Sequence, residues 1–234
     1  PAAHESRVTT DRSVIANSLG VGLATGTYGV SFGAISPSTG LSVLQTCVLS
    51  LVVFTGASQF AFIGIIASGG NPITGALTAV LLGSRNLFYG LSLAPKLNLH
   101  GPARLASAHF VIDESTAMAV TRETPRQTWL GFYWTGISIF ILWNGMTFAG
   151  ALAGTAIGDP KQYGLDAAVG AAFLALLWPR LDSWYARTIA VFAAAVALGV
   201  VPITAAGLPI IIGGAAAVAL GMLWHPGARS DGPE

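Results

Sequence analysis

The chain has 234 residues, of which 53% are hydrophobic and 9% are charged, and its formal net charge is +1. Soluble domains carry roughly 25% charged residues, so this composition is typical of an integral membrane protein. The low net charge excludes a broad basic surface for nucleic acid, and a single cysteine, Cys47, excludes an internal disulfide framework and a cysteine-based metal site.

The apolar residues form one block between two polar ends. We predict a polar N-terminal segment over residues 1–13, a transmembrane domain over 14–224 and a disordered tail over 225–234. About 20 apolar residues cross the hydrocarbon core of a bilayer. The expected fold is an all-α polytopic membrane helical bundle of about seven or eight transmembrane helices, some short or broken. The candidate spans are 14–35, 41–67, 73–93, 104–120, 129–153, 165–178, 187–201 and 205–224.

Lys and Arg are more frequent in the segments that would lie on the N-terminal side of eight crossings, which favours a cytoplasmic N-terminus. This count assumes that span 104–120 crosses the membrane; the alternative is an amphipathic helix at the surface. The stretches F-G-A at 32–34 and F-A-G-A at 148–151 each precede a break and a Gly-Leu pair that opens the next apolar run, which is consistent with an internal repeat.

The first span carries Gly22, Gly26, Gly29 and Gly33 at spacings of three and four, a pattern that predicts close approach of another helix. In the second span, residues 54–60 read F-T-G-A-S-Q-F. Glycine followed by small and amide side chains favours a locally unwound helix, whose freed backbone groups can bind a substrate. The alternative is a tight helix crossing in which Gln59 bonds to a neighbour.

The third span places Arg85 in the middle of an apolar run. An arginine at the centre of a membrane helix costs about 2.5–3.5 kcal/mol on insertion scales, so it needs a partner, a water-filled cavity or a ligand. Thr78, Tyr89 and Ser92 would share its helical face. The alternative, that Arg85 extends to the interface, requires its side chain to reach along about 12 Å of helix.

The fourth span contains two adjacent carboxylates, Asp113 and Glu114. On a continuous helix His109, Asp113 and Thr116 would line one face. Two carboxylates this close repel each other, which suits proton binding near neutral pH. The alternative is a structural ion pair of either acid with Arg85, and the sequence does not select between them.

We assign structural rather than substrate-binding roles to two further polar residues. Asn144 in the fifth span is interpreted as a packing residue, and Asp166, which opens the sixth span, as a helix cap. The motifs of common hydrolases, nucleotide-binding proteins and metalloenzymes are absent from the sequence. A dyad of Ser58 or Ser84 with His109 has no further support. We therefore predict that the protein is not an enzyme and needs no cofactor or metal.

Four stretches together resemble the AzlC family of branched-chain amino-acid permeases. They are F-T-G-A-S-Q-F at 54–60, L-G-S-R-N-L-F-Y-G-L-S at 82–92, F-V-I-D-E-S at 110–115 and G-L-D at 164–166. The resemblance implies a bacterial inner-membrane protein that exports branched-chain amino acids together with a small membrane subunit of the AzlD type. The chain departs from the family pattern at Asn86, where a histidine is usual, at Gly83, where an asparagine is common, and at Thr116, which replaces an aromatic residue. The first departure removes an imidazole proton carrier beside Arg85.

The leading hypothesis is a proton-coupled secondary transporter that exports branched-chain or related small apolar amino acids. Arg85 would bind the substrate carboxylate, and Asp113 or Glu114 would bind the ammonium group or carry the coupling proton. The alternatives are a channel or facilitator with Arg85 as the selectivity element and a membrane subunit that only supports a partner. Homo- and hetero-oligomers both remain open. The candidate substrate- or ion-binding residues are Arg85, Asn86, Asp113, Glu114, Ser58, Gln59, Gly56 and Tyr89.

Overall fold

The computed structural model describes residues 10–156, 174, 177–178, 181–205 and 207–224. Every regular element in these ranges is helical, and the protein is the all-α membrane helical bundle that its composition predicts. Two helices, Pro125–Ala156 and Trp184–Ile203, are long and apolar enough to cross a membrane without interruption. The α-helices are α1 (Asp11–Thr27), α2 (Gly29–Ile35), α3 (Val43–Val52), α4 (Ala57–Ala67), α5 (Pro72–Gly83), α6 (Arg85–Leu97), α7 (Gly101–Ala108), α8 (Asp113–Val120), α9 (Pro125–Ala156), α10 (Trp184–Val200) and α11 (Leu208–Leu223).

Each of the first four predicted spans is divided into two shorter helices. The first is interrupted at Tyr28, the second from Val53 to Gly56, the third at Ser84 and the fourth from His109 to Ile112. The unwound segment predicted in the second span is therefore confirmed. The other three interruptions were not predicted, because the apolar pattern continues through them.

Different local conformations produce the interruptions. Gly56 has φ 60° and ψ −84°, in the positive-φ region that side chains disfavour, and it directs the chain into α4. At Ser84 the turn tightens: its N–H donates to the Leu81 carbonyl at 3.3 Å, and the Leu87 N–H donates to the Ser84 carbonyl at 3.0 Å. These i→i−3 bonds replace the α-helical pattern for one turn and separate α5 from α6.

The interruptions correct two predicted helical faces. His109 lies in the gap between α7 and α8, so it does not share a face with Asp113 and Thr116. Thr78 lies on α5, whereas Arg85 opens α6, so these two residues are not neighbours on one continuous helix. Both predictions were wrong for the same reason: spacing by three and four defines a face only where the helix is unbroken.

Helix α9 forms the centre of the bundle, and the glycine ladder of the first span packs against it. A Cβ atom on Gly29 would lie 2.5 Å from the Trp143 carbonyl oxygen, and one on Gly154 would lie 2.5 Å from the Ala34 carbonyl oxygen. The Thr147 hydroxyl donates to the Gly29 carbonyl at 3.3 Å across this seam. Glycines on both sides let the backbones of α1, α2 and α9 approach closely, which confirms the predicted packing role.

Helices α10 and α11 form a hairpin at one side of the bundle. The Tyr185 hydroxyl donates to the Gly221 carbonyl at 3.0 Å within this hairpin. α11 approaches α5, where Leu81 lies close to Gly214. No residue of α10 is buried by the described part of the chain, which suits a helix that faces lipid.

Several predictions remain untested. The span 165–178 falls almost wholly outside the described residues, together with Asp166, residues 1–9 and the tail after Trp224. The membrane orientation and the internal repeat also stay predictions.

Candidate functional site

The interruptions of the second, third and fourth spans meet in space. Arg85, the first residue of α6, places its Nε atom 3.2 Å from Oδ1 of Asp113, the first residue of α8. On its other side the α5–α6 junction adjoins the start of α4, because a Cβ atom on Gly83 would lie 3.2 Å from the Ser58 hydroxyl oxygen. The amino-terminal ends of α4, α6 and α8 therefore converge on one region.

Aromatic rings surround this region. The Phe54 and His109 rings, from the second and fourth interruptions, have their centroids 5.8 Å apart, and Phe140 of α9 lies 5.1 Å from Phe54. The ring centroid of Tyr28, at the first interruption, lies 6.3 Å from that of Trp143 of α9. The first, second and fourth interruptions thus face the middle of α9, and the rings pack around the unwound backbone.

The ion pair between Arg85 and Asp113 is partly shielded, with 28% and 25% of the two side chains exposed. A helix N-terminus carries partial positive charge, so it favours Asp113 and disfavours Arg85. Asp113 therefore compensates both the guanidinium charge and its unfavourable place in α6. The sequence left open which acid pairs with Arg85, and the structure selects Asp113.

A second contact holds α6 and α8 side by side. The Lys96 ammonium group, near the end of α6, donates to the Val120 carbonyl at the end of α8 over 2.8 Å. The ion pair joins the starts of α6 and α8, and this bond joins their ends. The two half-helices therefore run in the same direction.

The start of α8 is braced by Ser115, which sequence reasoning did not select. Its hydroxyl accepts from the Ile112 N–H at 3.1 Å and donates to the Phe110 carbonyl at 2.6 Å. These bonds satisfy backbone groups freed by the interruption and orient the residues that lead into Asp113. The sequence signal that could have indicated this role is a serine, Ser115, two residues after the acidic residue that begins a helix, Asp113.

The start of α4 is polar and buried. Ser58 and Gln59 are 1% and 0% exposed. The hydroxyl oxygens of Thr55 and Ser58 and the amide oxygen of Gln59 are inaccessible and have no hydrogen-bond partner in the described part of the chain. Such atoms cost free energy unless a water or ligand satisfies them, so they are candidates for contact with a ligand. Thr55 is an addition to the predicted set.

The remaining predicted residues lie near the same helix starts. Asn86 follows Arg85, and its amide oxygen is inaccessible and unpartnered within the described residues. Tyr89 lies one turn further along α6 and is half-buried, and Glu114 follows Asp113 in the first turn of α8. The Asn144 amide nitrogen donates to the Phe140 carbonyl at 2.8 Å within α9, while its oxygen is buried among the described residues without a partner.

Two cavities adjoin the α5–α6 junction. The larger, about 470 Å³, lies between α3, α4 and α5 and reaches Thr55, Ser58 and Ser84; we call it the α4–α5 cavity. The smaller, about 250 Å³, extends along α6 and α7 from Asn86 to Arg104. The two chain neighbours of Arg85 each line one cavity: Ser84 lines the α4–α5 cavity and Asn86 lines the smaller one.

The described residues contain no group of three or more His, Cys, Asp or Glu side chains that could hold a metal ion.

Comparison with known proteins places this arrangement in a family. Residues 20–157, more than half of the chain, match the family model described as AzlC protein. The chain belongs to the AzlC family. The matched region contains every helix start described above, so the site lies within the part of the chain that defines AzlC proteins.

Relatives in this family come from distant organisms. An uncharacterized membrane protein of Archaeoglobus fulgidus is 33% identical over 72% of this chain and 74% of its own length. The branched-chain amino acid transport protein AzlC of Bacillus subtilis is 24% identical over 67% of this chain and 61% of its own length. The inner membrane protein YgaZ of Escherichia coli is 26% identical over 78% of this chain and 76% of its own length. No solved structure matches the chain.

Two of the three residues that depart from the expected AzlC pattern line the cavities. Gly83 borders the α4–α5 cavity, where the absence of a side chain leaves room beside Ser58. Asn86 lines the smaller cavity, whereas Thr116 is buried in α8.

Proposed function

We propose that this protein is a proton-coupled secondary transporter that exports branched-chain or related small apolar amino acids. The observation that carries the proposal is the Arg85–Asp113 ion pair at the meeting point of interrupted helices, where the chain neighbours of Arg85 line two cavities. Interrupted helices and intramembrane charges are the features from which transporters build substrate sites. The name of the Bacillus relative supports the substrate class.

A zwitterionic amino acid needs one partner for its carboxylate, one for its ammonium group and an apolar space for its side chain. When the ion pair opens, Arg85 can bind the carboxylate through two parallel hydrogen bonds. Asp113 or Glu114 can then bind the ammonium group or take up the coupling proton. Arg85 and Asp113 therefore bind each other in the resting protein and contact the substrate during transport.

We further propose that the protein lies in the bacterial inner membrane with a cytoplasmic N-terminus and acts with a small AzlD-type subunit. The excess of basic residues on the N-terminal side supports this orientation. The transport role is the reason to regard the protein as a non-enzyme.

Efflux of leucine or valine from cells that express the protein with its small subunit tests the proposal. Arg85→Ala should abolish efflux. Arg126→Ala is the matched control, because Arg126 forms an exposed ion pair with Asp11 at 2.6 Å, away from the cavities. Unchanged efflux from the Arg85 variant would contradict the assignment, and a flux that does not saturate with substrate would favour the alternative channel or facilitator.

A further inference from the structure

The three converging helix starts differ in how their partial positive charge is matched. The start of α8 carries Asp113 and Glu114 in its first turn. The start of α6 carries Arg85, which Asp113 neutralises. The start of α4 carries no acidic residue and no side-chain cap. An unneutralised helix N-terminus in a buried place is favourable for an anion.

The donors at the start of α4 are available to such an anion. The N–H groups of Gln59 and Phe60 donate to the Gly56 carbonyl at 3.0 and 3.3 Å. The N–H groups of Ala57 and Ser58 precede them, make no hydrogen bond in the described part of the chain, and belong to the positions that have no partner inside a helix. The buried Ser58 hydroxyl adds a third donor, because its oxygen has no partner among the described residues and Ser58 borders the α4–α5 cavity.

The α4–α5 cavity continues from these donors into an apolar space. Its walls include Leu49, Val53, Phe62 and Ala79. Its volume of about 470 Å³ lies within the range of small-molecule sites. The α4–α5 cavity therefore joins the donors at the start of α4 to an apolar wall.

We propose that the α4–α5 cavity is the site that an amino acid occupies while Arg85 is still held by Asp113. The substrate carboxylate binds the N–H groups of Ala57 and Ser58 and the Ser58 hydroxyl, and the apolar side chain contacts Ala79 and its neighbours. This assignment rests on the proposed transport function and adds the first binding site to it.

Competition for leucine transport by the purified protein with its small subunit in liposomes tests the assignment. The competitors are leucine, 4-methylpentanoate, which lacks the ammonium group, and 3-methylbutylamine, which lacks the carboxylate. Ser58→Ala should raise the half-maximal concentrations of leucine and 4-methylpentanoate about 10- to 100-fold, the range for one hydrogen bond to a charged group. The value for 3-methylbutylamine should not change.

Ser68→Ala is the matched control. Ser68 is an exposed serine at the opposite end of α4, where its hydroxyl donates to the Ile65 carbonyl at 2.9 Å. This variant should leave all three values unchanged. A second variant, Ala79→Leu, tests the apolar wall: it should weaken leucine binding and spare alanine, since it fills the space that the longer side chain occupies.

The outcomes separate the two proposals. If the wild-type protein transports leucine and Ser58→Ala changes none of the values, or changes that of the amine equally, the site assignment is wrong and the transport function stands. Unaltered leucine preference in Ala79→Leu contradicts the assignment in the same way. If the wild-type protein shows no saturable transport of any apolar amino acid, both proposals fail.

Discussion

Arg85 and Asp113 lie 3.2 Å apart, Nε to Oδ1, and each is the first residue of its half-helix. Their equivalent positions have opposite electrostatic consequences, because a helix start favours the carboxylate and disfavours the guanidinium. The negative charge of Asp113 therefore offsets the unfavourable positive charge at the start of α6. When the pair opens, the Arg85 guanidinium loses its counter-charge, and this favours binding of a substrate carboxylate in place of Asp113.

Breaking the ion pair on one side should destabilise the protein more than removing both charges. Arg85→Met leaves Asp113 uncompensated, and we expect a loss of about 2 kcal/mol in unfolding free energy, less than for a fully buried pair because a quarter of each side chain is exposed. The double variant Arg85→Met/Asp113→Asn should regain part of this loss without regaining transport. Thermal unfolding in detergent measures the effect, and a double variant as unstable as the single one would contradict it.

Neutralising the acid should remove the pH dependence of transport. Asp113→Asn cannot bind a proton, so efflux should become flat with pH if Asp113 carries the coupling proton. Initial rates in liposomes across a series of pH values measure this. Asp11→Asn is the control, since Asp11 pairs with Arg126 away from the cavities. A preserved profile in Asp113→Asn would exclude this residue as the proton carrier.

Substituting Gly56 should destabilise the second interruption. The residue has φ 60°, so Gly56→Ala places a side chain in a sparsely populated backbone region at a cost of about 1–3 kcal/mol. A steric clash does not contribute to this cost, because the nearest atom to the added Cβ would be Trp143 Cη2 at 3.9 Å. Gly145→Ala, at an exposed helical position with no atom nearby, should be neutral or slightly stabilising. Equal melting temperatures for the two variants would show that the backbone conformation has no such requirement.

The glycine seam should be sensitive to a single methyl group. Gly29→Ala introduces a Cβ 2.5 Å from the Trp143 carbonyl oxygen, so α2 and α9 must separate, at a cost of about 1–3 kcal/mol. Gly20→Ala provides the comparison on the same span, because its Cβ meets open space. Both are measured by thermal unfolding in detergent. Similar stabilities would mean that the two helices are not in close contact at Gly29.

Removing the hydroxyl that braces α8 should weaken transport and stability together. Ser115→Ala leaves the Ile112 N–H and Phe110 carbonyl without this partner, and a buried unsatisfied group costs about 1–3 kcal/mol. The start of α8 should then hold Asp113 less firmly. Ser92→Ala is the control, since that exposed hydroxyl donates to the Tyr89 carbonyl within its own helix. A Ser115 variant with wild-type stability and efflux would exclude the bracing role.

The sequence by itself determined the membrane class, the all-α bundle, the AzlC resemblance and most of the polar residues that converge at the site. These properties depend on composition, on runs of apolar residues and on the cost of a charge in lipid, which are all local. The glycine ladder of the first span was also predictable, because small residues at helical spacing have few other uses in a membrane.

Only the tertiary structure decided where the helices stop and which groups meet. Ser84 and residues 109–112 interrupt helices whose apolar pattern is continuous, since their freed backbone groups find partners such as Ser115 that no periodicity reveals. The choice of Asp113 as the partner of Arg85 follows from α6 and α8 lying side by side in one direction. The position of Ser58 beside Gly83 likewise depends on how α4 packs against α5. Such contacts join residues far apart in the chain, so no local pattern of the sequence determines them.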